Sequence, residues 1–476
     1  MKYIIAIDLG TTFCKTVLFD IYGEAKYVQQ CKYPIYGREE FVEQDPADWW
    51  HCVKYCIKKM LIGSGLSRSN IIAIGITGQS PSLVFLNEKL DPITPAILYM
   101  DTRYREFVKN LEKELHGFVE EKLVGNILWF KHKEPRIFEN IAKVIDAKEF
   151  IGFKLTGKVT YDSVVFPRER ICFIAEKIGV SRKIFGEPHD YMTPIGYVTK
   201  ECSKELGIPE GIPVIIGPWD GLCSTLGAGL AKENLAMDVA GTTEIIAVVT
   251  RKPVETTHKF IMPIRHILKD YWLLYTSIPL AISLDWVNEM LSIKDKTPPN
   301  IEPYDMLELY IKKPSAYRET LYFIPLLKGL YSKPYMKGAI IGIMAEHNIG
   351  DIILSLYEGI AFTIRYVLDL IEEKGVYVEE LRVGGGGSRN ALLNKLKADI
   401  IGKNISVLKT PETSALGIAI LASIAVGMYG DLEQAISNMV KISHKIAPSR
   451  DLYEFYSRKY SKFLKILEFL DDFYKH

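Results

Sequence analysis

The amino-acid sequence predicts an α/β protein built from two similar halves with a cleft between them, and three observations lead there. The run Tyr3 to Ile7 is rich in β-branched residues, breaks at Asp8-Leu9-Gly10-Thr11-Thr12, and resumes as Val17-Leu18-Phe19, which is the pattern of a strand hairpin with a polar tip. Met237 to Val249 repeats the design with Asp238, a short spacer, Gly241-Thr242-Thr243 and a second β-branched run. One such tip reads as an ordinary polar turn, whereas two in separate halves imply duplication. The third observation is length: the chain has 476 residues, and a single core seldom grows beyond roughly 250–300. The expected domains are residues 1–229 and 230–476.

Each tip has the chemistry of an anion site. Gly10 is expected to adopt a positive φ so that neighbouring N–H groups converge, with Thr11, Thr12 and Lys15 adding donors to phosphate oxygens. Gly241 and Thr242 play the same part in the second half.

Composition excludes several classes. A formal net charge of +1 provides no steering toward nucleic acid. The N-terminal apolar run is short and interrupted by Asp8, so no secretory signal is expected. The longest apolar stretch, Ala415 to Met428, is shorter than the roughly 20 residues a membrane span needs and reads as a buried helix. Seven scattered cysteines without a Cys-x-x-Cys pair suggest neither a disulfide framework nor a zinc site, and the cytoplasm is the expected compartment. Cys52 and Cys56 share a helix face, where they are expected to be small buried residues.

In chain order, Asp45-Pro46 has the form of a helix N-cap followed by the first helical position, with Trp49, Val53 and Ile57 on one face. A strand over Ile71 to Thr77 ends in Gly78-Gln79-Ser80-Pro81-Ser82, and ligands of open α/β sheets gather at such ends. Asp101 and Arg103 lie on one side of an extended segment, either as a surface salt bridge or as sugar ligands. Gly125 to Gly157 reads as mostly helical. Within it, Gly152 to Lys158 imitates the start of a P-loop, but Val159 stands where a Ser or Thr is required and a helix precedes it, so P-loop kinases are excluded.

Ile212 to Gly221 is a buried strand delivering Trp219 and Asp220 into a glycine-rich turn before a helix of small residues. Asp220 could simply cap that helix; beside two phosphate-type hairpins, a catalytic role is the better reading. The tract from Thr256 to Pro325 says little. Ile352 to Ile371 keeps helical spacing, with Gly375 as C-cap. Leu381 to Val383 leads into Gly384-Gly385-Gly386-Gly387-Ser388-Arg389-Asn390 and a helix to Ile401, a bare backbone against which a flat ligand can lie near a helix N-terminus, with Asn390 placed to bond a purine.

Taken together, these residues resemble the FGGY carbohydrate kinases of the actin/Hsp70-like ATPase superfamily over nearly the whole chain. Gly338-Ala339-Ile340-Ile341-Gly342-Ile343, then Asp351-Ile352 and Ser355-Leu356-Tyr357-Glu358, match the C-terminal signature of that family. The N-terminal signature near Trp129 is partly met, with Asn126 where lysine is usual, and the usual Gly-Glu-Arg-x-Pro is reduced to Gly329-Leu330-Tyr331-Ser332-Lys333-Pro334.

The resemblance implies duplicated ribonuclease H-like domains and ATP-dependent phosphorylation of a sugar or polyol hydroxyl. It makes Asp220 the general base, Asp8 the magnesium-associated carboxylate, and Thr11, Thr12 and Lys15 the first phosphate contacts. Gly241 and Thr242 would form the second phosphate loop, Gly386, Gly387 and Asn390 the adenosine site, and Gln79, Asp101, Arg103, Trp219 and Asp220 the sugar site. Xylulose-type members usually read Gly-Gln-Met-His-Gly after the second strand and glycerol kinases Asn-Gln-Arg-Glu-Thr; here Gly-Gln-Ser-Pro-Ser disfavours glycerol and leaves a ketopentose such as xylulose first, ahead of a hexulose. An actin- or Hsp70-like nucleotide switch is the rival reading. The expected partners are ATP, Mg2+ and a small-molecule substrate, without nucleic acid or membrane, and a homodimer stays open.

Overall fold

The computed structural model describes residues 1–37, 40–111, 113–241, 243–254, 260–293, 303–311, 319–330 and 333–475. They form two compact units, Met1–Gly227 with Ser414–Met439, and Ala228–Thr413 with Val440–His476. A single division at residue 229 does not anticipate this: the segment Ser414–Met439 returns to the first unit from far along the chain.

The first unit opens with β1 (Tyr3–Leu9), β2 (Phe13–Asp20) and β3 (Ala25–Lys32), followed by the helix α1 (Pro46–Gly63). Asp45 caps α1 by accepting from Ala47 N at 2.8 Å, and Trp49, Val53 and Ile57 are fully buried on one face, as the spacing requires. The six-stranded sheet runs Gly196–Tyr197, Pro213–Trp219, Ile71–Gly78, β1, β2, β3. β1 and the strand Pro213–Trp219 both run parallel to Ile71–Gly78, and Gly78 pairs with Leu9 on one side and Trp219 on the other. This register brings Asp8, Gln79, Trp219 and Asp220 to one end of the sheet. The apolar run Ala415 to Met428 forms the helix Thr413–Ala425. It packs through glycines on this sheet, where a Cβ on Gly75 would lie 2.7 Å from Ile418 Cγ1, and on the helix Asp220–Gly227, where one on Gly417 would lie 1.9 Å from the Cys223 carbonyl oxygen.

The second unit repeats the motif. Strand Leu235–Ala240 is antiparallel to Glu244–Thr250 and parallel to Glu380–Gly385, the relation that β1 bears to β2 and Ile71–Gly78. Its seven-stranded sheet is completed by Met262–Arg265, Trp272–Ile278, Asn404–Leu408 and Ile442–Ile446. The helix Ile349–Glu372 starts with an Asn348–Asp351 capping box and buries Ile353, Leu356, Ile360, Ile364, Val367, Leu368 and Ile371. Its last residue is Glu372 and Gly375 follows in the left-handed conformation, its N–H on the Glu372 carbonyl at 2.8 Å.

Three local readings need correction. Gly10 and Gly241 do not have a positive φ. What Gly10 provides is space, since a Cβ there would come within 3.2 Å of the Phe13 carbonyl oxygen. The stretch read as mostly helical is so, through Phe118–Lys133, Pro135–Phe138 and Ala147–Thr156, and it also holds the strand Lys143–Asp146; its four residues are too few to show a period. Asp220 is the first residue of the helix Asp220–Gly227, with no intervening turn. Finally, Cys31 on β3 and Cys52 on α1 form a disulfide with Cα atoms 5.3 Å apart. Cys14 pairs with Cys31 across the sheet, and Cys56 lies one turn beyond Cys52, so strand register and helix pitch assemble four cysteines that linear spacing scatters. The P-loop imitation is the end of a helix, with Gly157 as a left-handed C-cap at φ 73°.

Candidate active site

In the first unit the chemistry gathers at the carboxyl ends of the three parallel strands. Asp8 is the penultimate residue of β1, and its Oδ2 accepts from the Ser414 hydroxyl. Lys15 stands opposite Asp8 in the β1–β2 register, which places both side chains on one face of the sheet. At the hairpin tip Gly10 N donates to the Phe13 carbonyl at 3.1 Å, the Thr12 carbonyl accepts from Tyr33 N at 3.3 Å, and the Tyr33 phenol donates to the Gly10 carbonyl. Thr11 Oγ1 donates to the Tyr99 phenol at 3.3 Å.

Asp220 follows Trp219 at the end of its strand, opens the helix Asp220–Gly227 and accepts from the Gly221 N–H at 2.7 Å. Burial nevertheless holds its carboxyl above the ordinary range, against the lowering effect of the Gly221 and Asp220 backbone N–H groups. Burial also pushes the Tyr33 phenol well up, and the neighbouring Cys14, Asp8 and Asp220 add to it. The fields of Asp8 and Asp220 therefore overlap at one tyrosine. A carboxylate whose proton affinity is raised by burial accepts a proton more readily than a free one.

Gln79 is 2% exposed and donates through Nε2 to Gln44 Oε1 at 2.9 Å. The following loop is fastened by Asp146, which accepts from the Ser80 hydroxyl and from Ser82 N at 2.6 Å. Burial and the neighbouring Glu149 push Asp146 up to about 6. Asp101 and Arg103 are turned on each other. Asp101 accepts from Arg103 N at 2.9 Å, from Nε at 3.0 Å, from Nη2 at 2.7 Å, and from Val42 N at 2.8 Å. Arg103 also reaches Glu43 at 2.6 Å and lies between the rings of Phe41 and Trp129, 4.3 and 5.0 Å from their centroids. The pair is buried, so it is no exposed salt bridge, and it pins residues 41–43 beside the Asp101 turn.

In the second unit Gly241 N donates to the Thr243 carbonyl at 3.1 Å; Thr242 lies outside the described residues. Beneath this hairpin Lys397 Nζ contacts Asp238 Oδ2 at 2.5 Å and Glu244 Oε1 at 3.0 Å, all three groups being buried. Three of the four consecutive glycines have a packing reason. A Cβ on Gly384 would meet Thr413 at 2.6 Å, one on Gly385 the Ala240 carbonyl oxygen at 2.2 Å, and one on Gly387 the Ala240 Cβ at 2.5 Å, while Gly386 faces open space. Asn390 caps the helix Ala391–Ile401 by accepting from Leu393 N at 2.6 Å and donates to the Tyr357 phenol at 3.0 Å.

Tyr33, Gln44, Tyr99, Asp146 and Ser414 are not visible as site residues in the sequence. Only Gln44, immediately before the Asp45-Pro46 helix start, stands beside a recognisable local signal.

The model of the FGGY family of carbohydrate kinases matches this chain twice, its N-terminal domain over residues 3–227 and its C-terminal domain over residues 236–426. A Haemophilus influenzae protein named "Probable L-xylulose kinase" is 27% identical over 496 aligned positions, covering 99% of each chain. The fold is similar to that of xylulose kinase from Rhodospirillum rubrum, with a TM-score of 0.83 at 21% identity over 100% of both chains. Gluconate kinase from Lactobacillus acidophilus gives 0.84 at 22% identity over 100% of this chain and 99% of that one. Two family domains in their usual order, on a duplicated sheet with a carboxylate at the strand end, leave one assignment: the chain belongs to the FGGY family of carbohydrate kinases.

Proposed function

We propose that this kinase transfers the terminal phosphoryl group of ATP to a hydroxyl of a ketopentose, with xylulose the first candidate. The observation that carries the reading is the partly buried Asp220, raised by burial at the carboxyl end of its strand, with Asp8 two strands away in the same sheet and both charges acting on Tyr33. Relatives named xylulose kinase, including one from Escherichia coli 25% identical over 98% of each chain, favour that sugar.

Phosphoryl transfer needs positioning and charge neutralisation more than covalent chemistry. Asp220 accepts the proton of the attacking hydroxyl. Gln79 and Trp219 hold the sugar, Asp101 and Arg103 support the wall beside it, and Thr11, Thr12 and Lys15 contact phosphate. Gly241 and Thr242 form the second phosphate loop, and the bare backbone at Gly386, with Gly387 and Asn390, takes the adenosine. The oxygen chemistry of Asp8 fits Mg2+, which commonly uses one or two carboxylates together with substrate phosphates and water. Asp8 would hold the ion, and the ion when bound supplies neutralisation of phosphate charge. The cytoplasm suits an enzyme dependent on ATP.

The test is ADP release with ketopentoses, hexuloses, polyols, gluconate and glycerol offered in turn. Release that depends on a ketopentose supports the proposal. Hydrolysis indifferent to every sugar overturns it in favour of a nucleotide switch.

A further inference from the structure

Behind the loop that follows the strand Ile71–Gly78 lies a chain of side-chain hydrogen bonds whose direction is decided by its two ends. Gln44 is fully buried; its Nε2 donates to the Thr11 carbonyl at 2.7 Å, and its Oε1 accepts from Trp49 Nε1 at 2.9 Å and from Gln79 Nε2 at 2.9 Å. An indole N–H can only donate and a backbone carbonyl can only accept. Gln44 therefore has one satisfied orientation, with oxygen toward Trp49 and nitrogen toward Thr11; the reverse would set a donor against a donor and an acceptor against an acceptor. Gln79 meets the Gln44 oxygen and must present its nitrogen there. Its own oxygen is consequently left over.

That oxygen is buried and has no hydrogen-bond partner among the described residues, although Gln79 as a whole is 2% exposed. Gln79 is otherwise well held: its backbone N–H donates to the Leu9 carbonyl at 2.9 Å, and it follows Gly78, the residue flanked by Leu9 and Trp219. A buried acceptor that protein groups do not satisfy calls for a ligand donor.

We propose that Trp49 and Gln44 are positioning residues that fix Gln79 as a hydrogen-bond acceptor, so that the site selects a sugar carbon bearing O–H over one bearing fluorine, hydrogen or a keto oxygen. This rests on the reading of Gln79 as a sugar-binding residue. Trp49 acts through Gln44 and Gln44 through Gln79. The same Gln44 amide also ties the polarity of the sugar subsite to the tip of the first phosphate hairpin at Thr11.

The experiment measures kcat and KM for xylulose and for its monodeoxyfluoro analogues, fluorine being able to accept a hydrogen bond but not to donate one. For the unaltered enzyme, fluorine at the contacted carbon raises KM roughly tenfold or more, because the Gln79 oxygen is then left unpaired. Gln44→Leu and Gln44→Met remove the relay, and the penalty at that carbon falls to within about threefold, since Gln79 can then rotate to offer its N–H2 group; Trp49→Phe leaves Gln44 Nε2 on the Thr11 carbonyl, so the Gln44 oxygen still faces Gln79 and the penalty is lowered less than by loss of Gln44. Gln44→Glu, held in this buried place as the neutral acid whose O–H donates to the Thr11 carbonyl, keeps an acceptor for both Trp49 and Gln79 and retains the penalty, which is the rescue that a role in folding alone does not predict. A loss of stability alone would change kcat for every analogue alike and leave the KM ratio at the value of the unaltered enzyme. The proposal is overturned if Gln44→Leu or Gln44→Met, whichever folds, keeps the full fluorine penalty, or if the unaltered enzyme shows no penalty at any carbon. Absence of sugar-dependent ADP release with every substrate instead removes the kinase reading itself, and the two failures are distinguishable.

Discussion

Lys397→Met tests the buried trio beneath the second hairpin. Lys397 is 1% exposed, Asp238 0% and Glu244 3%, and the ammonium reaches one carboxylate at 2.5 Å and the other at 3.0 Å. Methionine fills a similar volume but leaves two carboxylates facing each other without a cation. Removing one partner of a buried ion pair costs about 3–5 kcal/mol, and two stranded carboxylates argue for the upper end. Proton uptake argues for the lower end, because burial first and Glu244 second already push Asp238 well above the ordinary range. A loss of about 3 kcal/mol near pH 7 is expected, which lowers the melting temperature of a unit of this size by roughly 6–12 °C.

Calorimetry at several pH values checks the sign. In the variant both carboxyls have folded pKa values above their unfolded ones, so their contribution is favourable below the unfolded value of about 4 and is lost as pH rises through the folded values. In the unaltered protein Glu244 is held below its ordinary range, chiefly by the lysine against the opposing effect of burial. Its contribution is therefore present above the unfolded value and lost as pH falls through the folded one. The difference between variant and parent should widen from pH 5 to pH 8. Adding Glu244→Gln should recover at least half of the loss, since a single carboxyl that is readily protonated remains. A loss under 1 kcal/mol, or a difference that narrows with rising pH, would refute the reasoning.

Asp220→Asn should keep the hydrogen bond from the Gly221 N–H and melt within a few degrees of the parent, while kcat for ADP release drops by about 10²–10⁴-fold; normal turnover would remove Asp220 from the general-base role. The Cys31–Cys52 bridge spans a sequence separation of 21, so by loop entropy its reduction should cost the first unit about 3 kcal/mol. Thiol titration of the denatured, unreduced protein should find five free cysteines, whereas seven would show that no bridge forms. Asp146→Asn should leave stability unchanged near pH 4 and raise it near pH 8. The reason is that Asp146 is pushed up to about 6, so its folded form is favoured below the unfolded value and penalised as pH rises through 6. Thermal melting across that window is the check, and a variant less stable than the parent at pH 8 would contradict it.

Much of the fold is legible because its signals are local. The run Tyr3 to Ile7, the Asp45-Pro46 cap and the repeat of Ile352 to Ile371 each declare themselves within a few residues, and they reappear as β1, α1 and the helix Ile349–Glu372. Where the local signal is short it fails: Lys143–Asp146 is a strand of four residues between helices, and its period does not emerge. The four glycines from Gly384 to Gly387 show the opposite limit. In sequence they read as one ligand cradle, but only Gly386 is open, because the other three accommodate Thr413 and Ala240 on neighbouring segments.

By itself, the sequence determined the α/β class, the duplication, the two hairpin tips and the placing of Asp8 and Asp220 at strand ends, since β-branching, polar breaks and caps act over one or two turns of chain. Tertiary structure alone decided which groups those carboxylates meet. Ser414 comes to Asp8, Lys397 to Asp238, Gln44 to both Thr11 and Gln79, and Cys31 to Cys52. Those partners lie 21 to 406 residues apart in the chain. Their meeting depends on sheet register and on the glycines that admit the helix Thr413–Ala425, properties of packing that leave no period in the sequence.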